Sequence, residues 1–152
     1  MTVFDNIISL LNEKGVKHTV IEHEPVYTSE QAARIRDTDI SMGAKALICY
    51  ADKSPVLLVV PGDKKADFKK YKQTFGVKDL RMATPTEVLE LTGLEVGSIP
   101  PVGKALGLPS YYDSSFGEKD YVSFNAGSHT SSVKMKASDL IGIEDPVLAD
   151  IT

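Results

Sequence analysis

Two short apolar runs, Ala44 to Ala51 and Val56 to Val60, flank Asp52-Lys53-Ser54-Pro55. Apolar runs of this length around turn formers read as the two strands of a β-hairpin. Strands with so little polar alternation need cover on both faces, so the hairpin belongs near the middle of a sheet. The rest of the chain has to supply its neighbours and its cover. Phe4, Ile7, Ile8, Leu10 and Leu11 recur at helical spacing ahead of Gly15, which predicts a helix from Phe4 to Glu13. His18 to His23 alternates as a strand does until Pro25 interrupts it. Thr28-Ser29-Glu30-Gln31 is a capping box that opens a helix through about Arg36. Asp63 can cap a lysine-rich helix to about Phe75, with Ala66, Phe68, Tyr71 and Phe75 on its buried side. Leu80 to Ala83 is a brief strand. Thr84-Pro85-Thr86-Glu87 then combines a capping box with proline at the first helical position, starting a helix to about Leu91. Gly93 to Gly107 reads as a rigid loop, too long for an idle connection. Strands around Ser110 to Asp113, Tyr121 to Asn125 and Ser132 to Met135 follow, and a helix from Ser138 closes the chain. The pattern predicts an α+β fold with a mixed, mainly antiparallel sheet.

With 152 residues, residues 1–152 are expected to form one domain. A domain of this size buries roughly 68–70% of its unfolded surface and needs neither disulfide nor metal. The lone Cys49, amid apolar neighbours, excludes a disulfide framework and reads as an inert core thiol. His18 and His23, five apart on one strand, point to opposite faces, so no metal site is expected. No apolar run approaches the ~18 residues of a membrane span, and the start lacks a basic region followed by an apolar one, so a cytoplasmic protein is expected. A formal net charge of −4 argues against a general duplex-DNA binder. Yet Lys64, Lys65, Lys69, Lys70, Lys72, Lys78 and Arg81 place seven of the seventeen basic residues within one short stretch. That stretch is either a solvated helix face or a local track for phosphates.

Three places carry candidate chemistry. Lys45 stands at the mouth of Ala46-Leu47-Ile48-Cys49-Tyr50, where a buried ammonium without a partner would be costly. Its side chain either escapes to solvent or faces a cleft that holds an anion or a carbonyl. Gly97-Ser98-Ile99-Pro100-Pro101-Val102-Gly103 is either a rigid connection or a loop that turns backbone N–H groups toward an oxygen ligand. Asn125-Ala126-Gly127-Ser128-His129-Thr130 is a turn whose histidine either lines a pocket or is exposed. No Gly-x-Ser-x-Gly elbow, phosphate-cradling loop or dinucleotide fingerprint is present, so nothing supports a covalent mechanism.

Four features in order along the chain resemble the YbaK/ProX family of aminoacyl-tRNA editing domains, also found inserted in some bacterial prolyl-tRNA synthetases. They are His23-Glu24-Pro25-Val26-Tyr27-Thr28 after an opening helix, Gly43-Ala44-Lys45-Ala46-Leu47-Ile48, Gly97-Ser98-Ile99-Pro100-Pro101, and Gly127-Ser128-His129. The resemblance implies a mixed sheet curled toward a barrel with helices around it, and no cofactor. It implies hydrolysis, in trans, of the ester joining a wrong amino acid to the 3′ end of a tRNA, with Ala or Cys on proline tRNA as the expected substrates. Lys45 matches the family's essential lysine, and Gly97, Ser98, Ile99, Pro100 and Pro101 match the loop that positions the aminoacyl carbonyl or the attacking water. Tyr27, Thr28, Ala46, Gly127, Ser128 and His129 fall at substrate-binding positions. Members often carry a polar residue after the lysine, where this chain has Ala46. Lys64, Lys65, Lys69 and Lys70 are then expected to hold the tRNA acceptor end, with a synthetase as a further partner. The alternative is a noncatalytic module whose same pocket binds an amino acid, a nucleotide or a tRNA 3′ end.

Overall fold

In the computed structural model, which describes residues 2–152, the chain begins with α1 (Val3–Glu13), β1 (His18–Glu22), α2 (Ser29–Arg36) and a 3₁₀ turn at Ile40–Met42. It continues through β2 (Ala44–Ala51), β3 (Ser54–Pro61), α3 (Phe68–Phe75), β4 (Leu80–Met82), α4 (Pro85–Thr92) and α5 (Gly103–Leu106). β5 (Ser110–Asp113), a 3₁₀ turn at Ser114–Glu118, β6 (Tyr121–Asn125), β7 (Ser131–Lys136), α6 (Ala137–Glu144) and β8 (Val147–Ala149) complete it.

The predicted hairpin is interior. β2 and β3 occupy the second and third places of a five-stranded sheet ordered β4-β2-β3-β5-β8, while β1-β7-β6 forms a three-stranded antiparallel sheet. β2 pairs antiparallel with β3 and β4, and β5 pairs parallel with both β3 and β8. One parallel bridge, Gly43 to Ser123, joins the two sheets. The surface therefore curls toward a barrel without closing. Asp52 and Lys53 both take positive φ, 46° and 74°, which makes the hairpin turn two residues long. β3 thus starts at Ser54, and Pro55 is tolerated because β5 first pairs at Leu57.

Both faces of β3 are covered, as the apolar run requires. Leu57 and Val59 join the core beneath α1, α4 and α6; Val56, Leu58 and Val60 join Cys49 and Tyr71 beneath α3. This period-two division of one strand between two clusters is what makes an unbroken apolar run a strand rather than a helix. Each fully buried Leu or Val contributes about 1.5–3 kcal/mol.

Several boundaries differ from the sequence pattern. α3 starts at Phe68, capped by Asp67, whose Oδ1 accepts from the Lys70 N–H at 3.1 Å. Asp63 instead lies in the turn leaving β3, where the Lys64 N–H donates to the Pro61 carbonyl. That exit passes close beneath the 3₁₀ turn: a Cβ on Gly62 would stand 2.5 Å from the Ile40 carbonyl oxygen. Lys64 and Lys65 therefore do not share a helix face with Lys69 and Lys70. The long loop from Gly93 contains α5, and the chain closes on β8 rather than on α6. β8 is three largely exposed residues held by pairing with β5, so it has no local signature. No helix among the described residues is long and apolar enough to cross a membrane.

Candidate active site

A cleft of about 230 Å³ opens at the seam between the sheets. One wall is α2. Its cap Thr28 accepts at Oγ1 from the Gln31 N–H, 3.1 Å, but Gln31 Oε1 accepts from the Tyr27 N–H, 2.9 Å, one residue before the cap. The capping box is thus displaced by one residue and holds Tyr27 at the cleft mouth, 66% exposed. Ser29, Ala32, Ala33 and Arg36 continue this wall; Gly43 to Leu47 form the second, with Val96, Gly97, Ile99 and Asn125 opposite.

Lys45 lies at the start of β2, half-buried, with its Nζ donating to the Lys64 carbonyl at 2.9 Å. Burial holds its pKa below the ordinary lysine value; Glu30 and Asp63 pull it back up and Lys65 opposes them. The ammonium is therefore a cation at some desolvation cost, bonded to a neutral carbonyl at the end of a long side chain. Such a group can exchange that carbonyl for a substrate oxygen.

Gly97 has φ +91°, a conformation that favours glycine. Its carbonyl accepts from Asn125 Nδ2 at 2.7 Å, and the next N–H, of Ser98, donates to the Glu95 carbonyl at 3.1 Å. Both edges of the Gly97–Ser98 peptide are thereby pinned. No hydrogen bond among the described residues uses the N–H of Gly97 itself. Behind the loop sits His129. A Cβ on Gly97 would meet its Cε1 at 3.1 Å. The ring donates from Nδ1 to the Val26 carbonyl, 3.0 Å, and lies against Tyr27 with centroids 4.6 Å apart. Its Nε2 lies 3.4 Å from Glu95 Oε2.

Of the residues singled out in the sequence, Lys45, Ala46, Gly97, Ile99, Tyr27 and Thr28 line the cleft together. Ser98, Pro100, Pro101, Gly127, Ser128 and His129 do not line it. Ser98 is buried and spends its hydroxyl on the Glu95 carbonyl, 2.7 Å, while the Pro101 carbonyl accepts from the buried Tyr112 hydroxyl. Gly127 donates its N–H to the Ser98 carbonyl at 3.0 Å, and Ser128 bonds Thr130 within its own turn. These residues buttress the loop from behind. Lys64, Lys65 and Lys69 are exposed, but Lys70 is engaged with Asp150 at 3.2 Å and with the Thr152 carbonyl at 2.7 Å.

Sequence reading missed Arg36, and it took in Asn125 only as the first residue of the histidine-bearing turn, with no role of its own. Arg36 carries a positive charge on the cleft wall with no carboxylate partner among the described residues; burial draws it down to about 10, and it stays charged at neutral pH. In the sequence it is one of two arginines in the last turn of a helix, where a cation needs no further explanation. Among the described residues no three His, Cys, Asp or Glu side chains cluster as metal ligands.

Residues 23–143 match the sequence profile of the aminoacyl-tRNA editing domain. The chain belongs to that family. A relative from Escherichia coli, the multifunctional Ser/Thr-tRNA deacylase ProXp-y, is 34% identical over 149 residues, covering 95% of this chain and 89% of its own. The proline–tRNA ligase of Thermosipho melanesiensis is 34% identical over 92 residues, which span 60% of this chain and 16% of the ligase. Among solved structures, a candidate trans-editing enzyme for prolyl-tRNA synthetase superposes with a TM-score of 0.85 at 27% identity, covering 100% of this chain and 98% of that one.

Proposed function

We propose that this protein is a hydrolase that removes a small, wrongly attached amino acid from the 3′ end of tRNA, acting as a free-standing domain. The observation that carries this reading is the convergence of Lys45 and Gly97 on one cleft. An aminoacyl ester is already activated, and each ~1.4 kcal/mol removed from its barrier is tenfold in rate. A cation and a preorganised backbone N–H can stabilise the developing oxyanion without a protein nucleophile. Water adds to the acyl carbon, the bond from that carbon to the ribose oxygen breaks, and the proton passes to the departing ribose oxygen with help from the neighbouring hydroxyl. Cys49 cannot substitute as nucleophile, because it is fully buried and burial pushes its thiol up to about 12.

At about 230 Å³ the cleft has room for a small aminoacyl group. A synthetase pocket rejects a substrate differing by one methylene by only ~1–3 kcal/mol, so a second, size-limited hydrolytic site is the general remedy. Ala and Cys on proline tRNA are the first substrates we assign; Ser and Thr follow from the name of the E. coli relative. Lys64, Lys65 and Lys69 supply phosphate contacts for the acceptor end, with a synthetase as a further partner. The decisive experiment offers purified protein alanyl-, cysteinyl-, seryl- and threonyl-tRNAs, with Lys45→Ala alongside. Hydrolysis by the parent and its loss in a folded Lys45→Ala variant are expected. Full activity in that variant refutes the assignment, and tight tRNA binding without hydrolysis by the parent favours the noncatalytic module.

A further inference from the structure

We infer that Arg36 is a positioning residue for Gly97, acting through the side-chain amide of Asn125. Among the described residues, Arg36 is held by neutral acceptors alone: its Nε donates to Ser132 Oγ at 2.9 Å, its Nη2 to Asn125 Oδ1 at 2.8 Å, and its Nη1 to the Ser123 carbonyl at 3.5 Å. A partly buried cation without a counter-charge is a cost to folding, so the arrangement calls for a purpose other than an ion pair.

The purpose follows from the direction of each hydrogen bond. A guanidinium only donates, so the Asn125 atom facing it must be the oxygen. The nitrogen of the same amide is then forced toward Gly97, where it donates to the carbonyl at 2.7 Å. Were the amide turned over, donors would face donors at Arg36 and two oxygens would face each other at Gly97. Arg36 therefore selects the one amide orientation that can grip the loop. The other arm of the fork is fixed in the same way. His23 Nδ1 faces the Glu24 carbonyl at 2.7 Å and so donates; in a neutral ring Nε2 then accepts from the Ser132 hydroxyl at 2.7 Å, a shorter contact than the 3.4 Å from that hydroxyl to Asn125 Oδ1. The Ser132 oxygen is thereby left with its lone pairs toward Arg36 Nε. The relay runs from His23 through Ser132, Arg36 and Asn125 to Gly97, and joins the chain's first motif to its third.

Gly97 needs such a grip. A glycine at φ +91° has the widest backbone freedom of any residue, and the N–H it presents must not wander. Holding its carbonyl fixes ψ and the peptide group that follows, so that only rotation about φ separates this anchored group from the Gly97 N–H.

This inference rests on the hydrolase reading, and its test separates the two. Hydrolysis of the four aminoacyl-tRNAs is measured for the parent, Asn125→Asp, Asn125→Ala, Arg36→Lys, Arg36→Gln and the double variant Arg36→Gln/Asn125→Ala, with thermal melts throughout. Asn125→Asp is the informative change. It keeps the acceptor toward Arg36, but sets a carboxylate oxygen against the Gly97 carbonyl. We expect Asn125→Asp to melt with the parent and to lose about tenfold or more in kcat with KM little changed, a smaller loss than deleting an oxyanion donor outright. Arg36→Lys, which keeps the charge but not the fork, is expected to lose kcat in the same way. The double variant is expected to lose no more than the worse single one, since both cut the same relay. Parent-like kcat in Asn125→Asp or Arg36→Lys, losses that multiply in the double variant, or a loss confined to KM overturns the inference. A parent that hydrolyses none of the four substrates overturns the hydrolase reading instead.

Discussion

Replacing Gly97 by Ala tests the loop at the point where backbone and packing constraints meet. Two costs are separable. An L-residue at φ +91° is strained by about 1–2 kcal/mol. The added methyl also stands 3.1 Å from His129 Cε1, and that ring cannot retreat freely, being bonded to the Val26 carbonyl and laid against Tyr27. Crowding of this kind adds about 1–2 kcal/mol. The sum, about 2–4 kcal/mol, lowers Tm by roughly 4–16 °C in a domain of this size. Gly76→Ala isolates the first cost, because Gly76 has φ +66° and nothing within 4 Å of its would-be Cβ. His129→Ala removes the second. Melts followed by circular dichroism should place Gly97→Ala below Gly76→Ala, and the gap should vanish when both are compared in the His129→Ala background. Deacylation should remain low in Gly97→Ala/His129→Ala, because the left-handed backbone, and with it the direction of the Gly97 N–H, is still disturbed. A Gly97→Ala protein that melts with Gly76→Ala and keeps parental activity would refute the whole description of the loop.

Other consequences are open to simpler measurements. Iodoacetamide at pH 8 should leave Cys49 unmodified in the folded protein, since burial pushes its thiol up to about 12; alkylation of native protein with loss of activity would revive a thiol mechanism. The hydrogen bond from Arg81, reinforced by the Thr84 N–H, draws Glu87 down to about 2 from 4.5, so its stabilisation is complete above about pH 4.5 and is lost as pH falls toward 2. Melts between pH 2 and 6 should show that slope, and Glu87→Gln should flatten it. tRNA binding should weaken with salt, and replacing Lys64, Lys65 and Lys69 by Ala should reduce the log–log slope by about 0.7 for each phosphate left without its lysine. Lys70→Ala should leave that slope alone and cost about 0–1 kcal/mol of stability, because its ammonium is committed to Asp150 and the Thr152 carbonyl.

What the sequence makes legible is what short-range chemistry determines. The capping box at Thr84 with Pro85 behind it, the stop at Gly15 and the apolar hairpin are each decided within a few residues, and each forms where the pattern puts it. α3 shows the limit. The sequence pattern picks Asp63 as the cap, but Asp67, four residues on, has the same side chain and takes the role. The choice falls on Asp67 because its N–H donates to the Ile151 carbonyl at 2.7 Å, a bond to the far end of the chain. The site divides along the same line. Lys45 and Gly97 stand out because a lysine in an apolar run and a glycine ahead of paired prolines are locally odd. Arg36 and Asn125 are locally ordinary, and only the fold, which brings residues 89 positions apart together, gives them a task.

The cleft lies where it does because, among the described residues, the two sheets meet at a single bridge. Gly43 and Ser123 make that junction, and the strands diverge from it, leaving a gap that α2 and the Gly97 loop wall in. Side chains two residues apart on a strand share a face. Two residues past the bridge on one strand is Lys45, and two past it on the other is Asn125, so one backbone junction places both the cation and the clamp on the loop that opposes it. The bridge also accounts for glycine at position 43. Its carbonyl accepts from the Gly62 N–H at 2.9 Å, and a Cβ there would press on the Ile40 carbonyl oxygen at 3.3 Å and point toward Arg36 Nη1. A side chain at that point would press on the 3₁₀ turn and lie in contact with the guanidinium of the relay. The geometry of the seam, more than any one residue in it, makes a locally unremarkable strand end into half of a site.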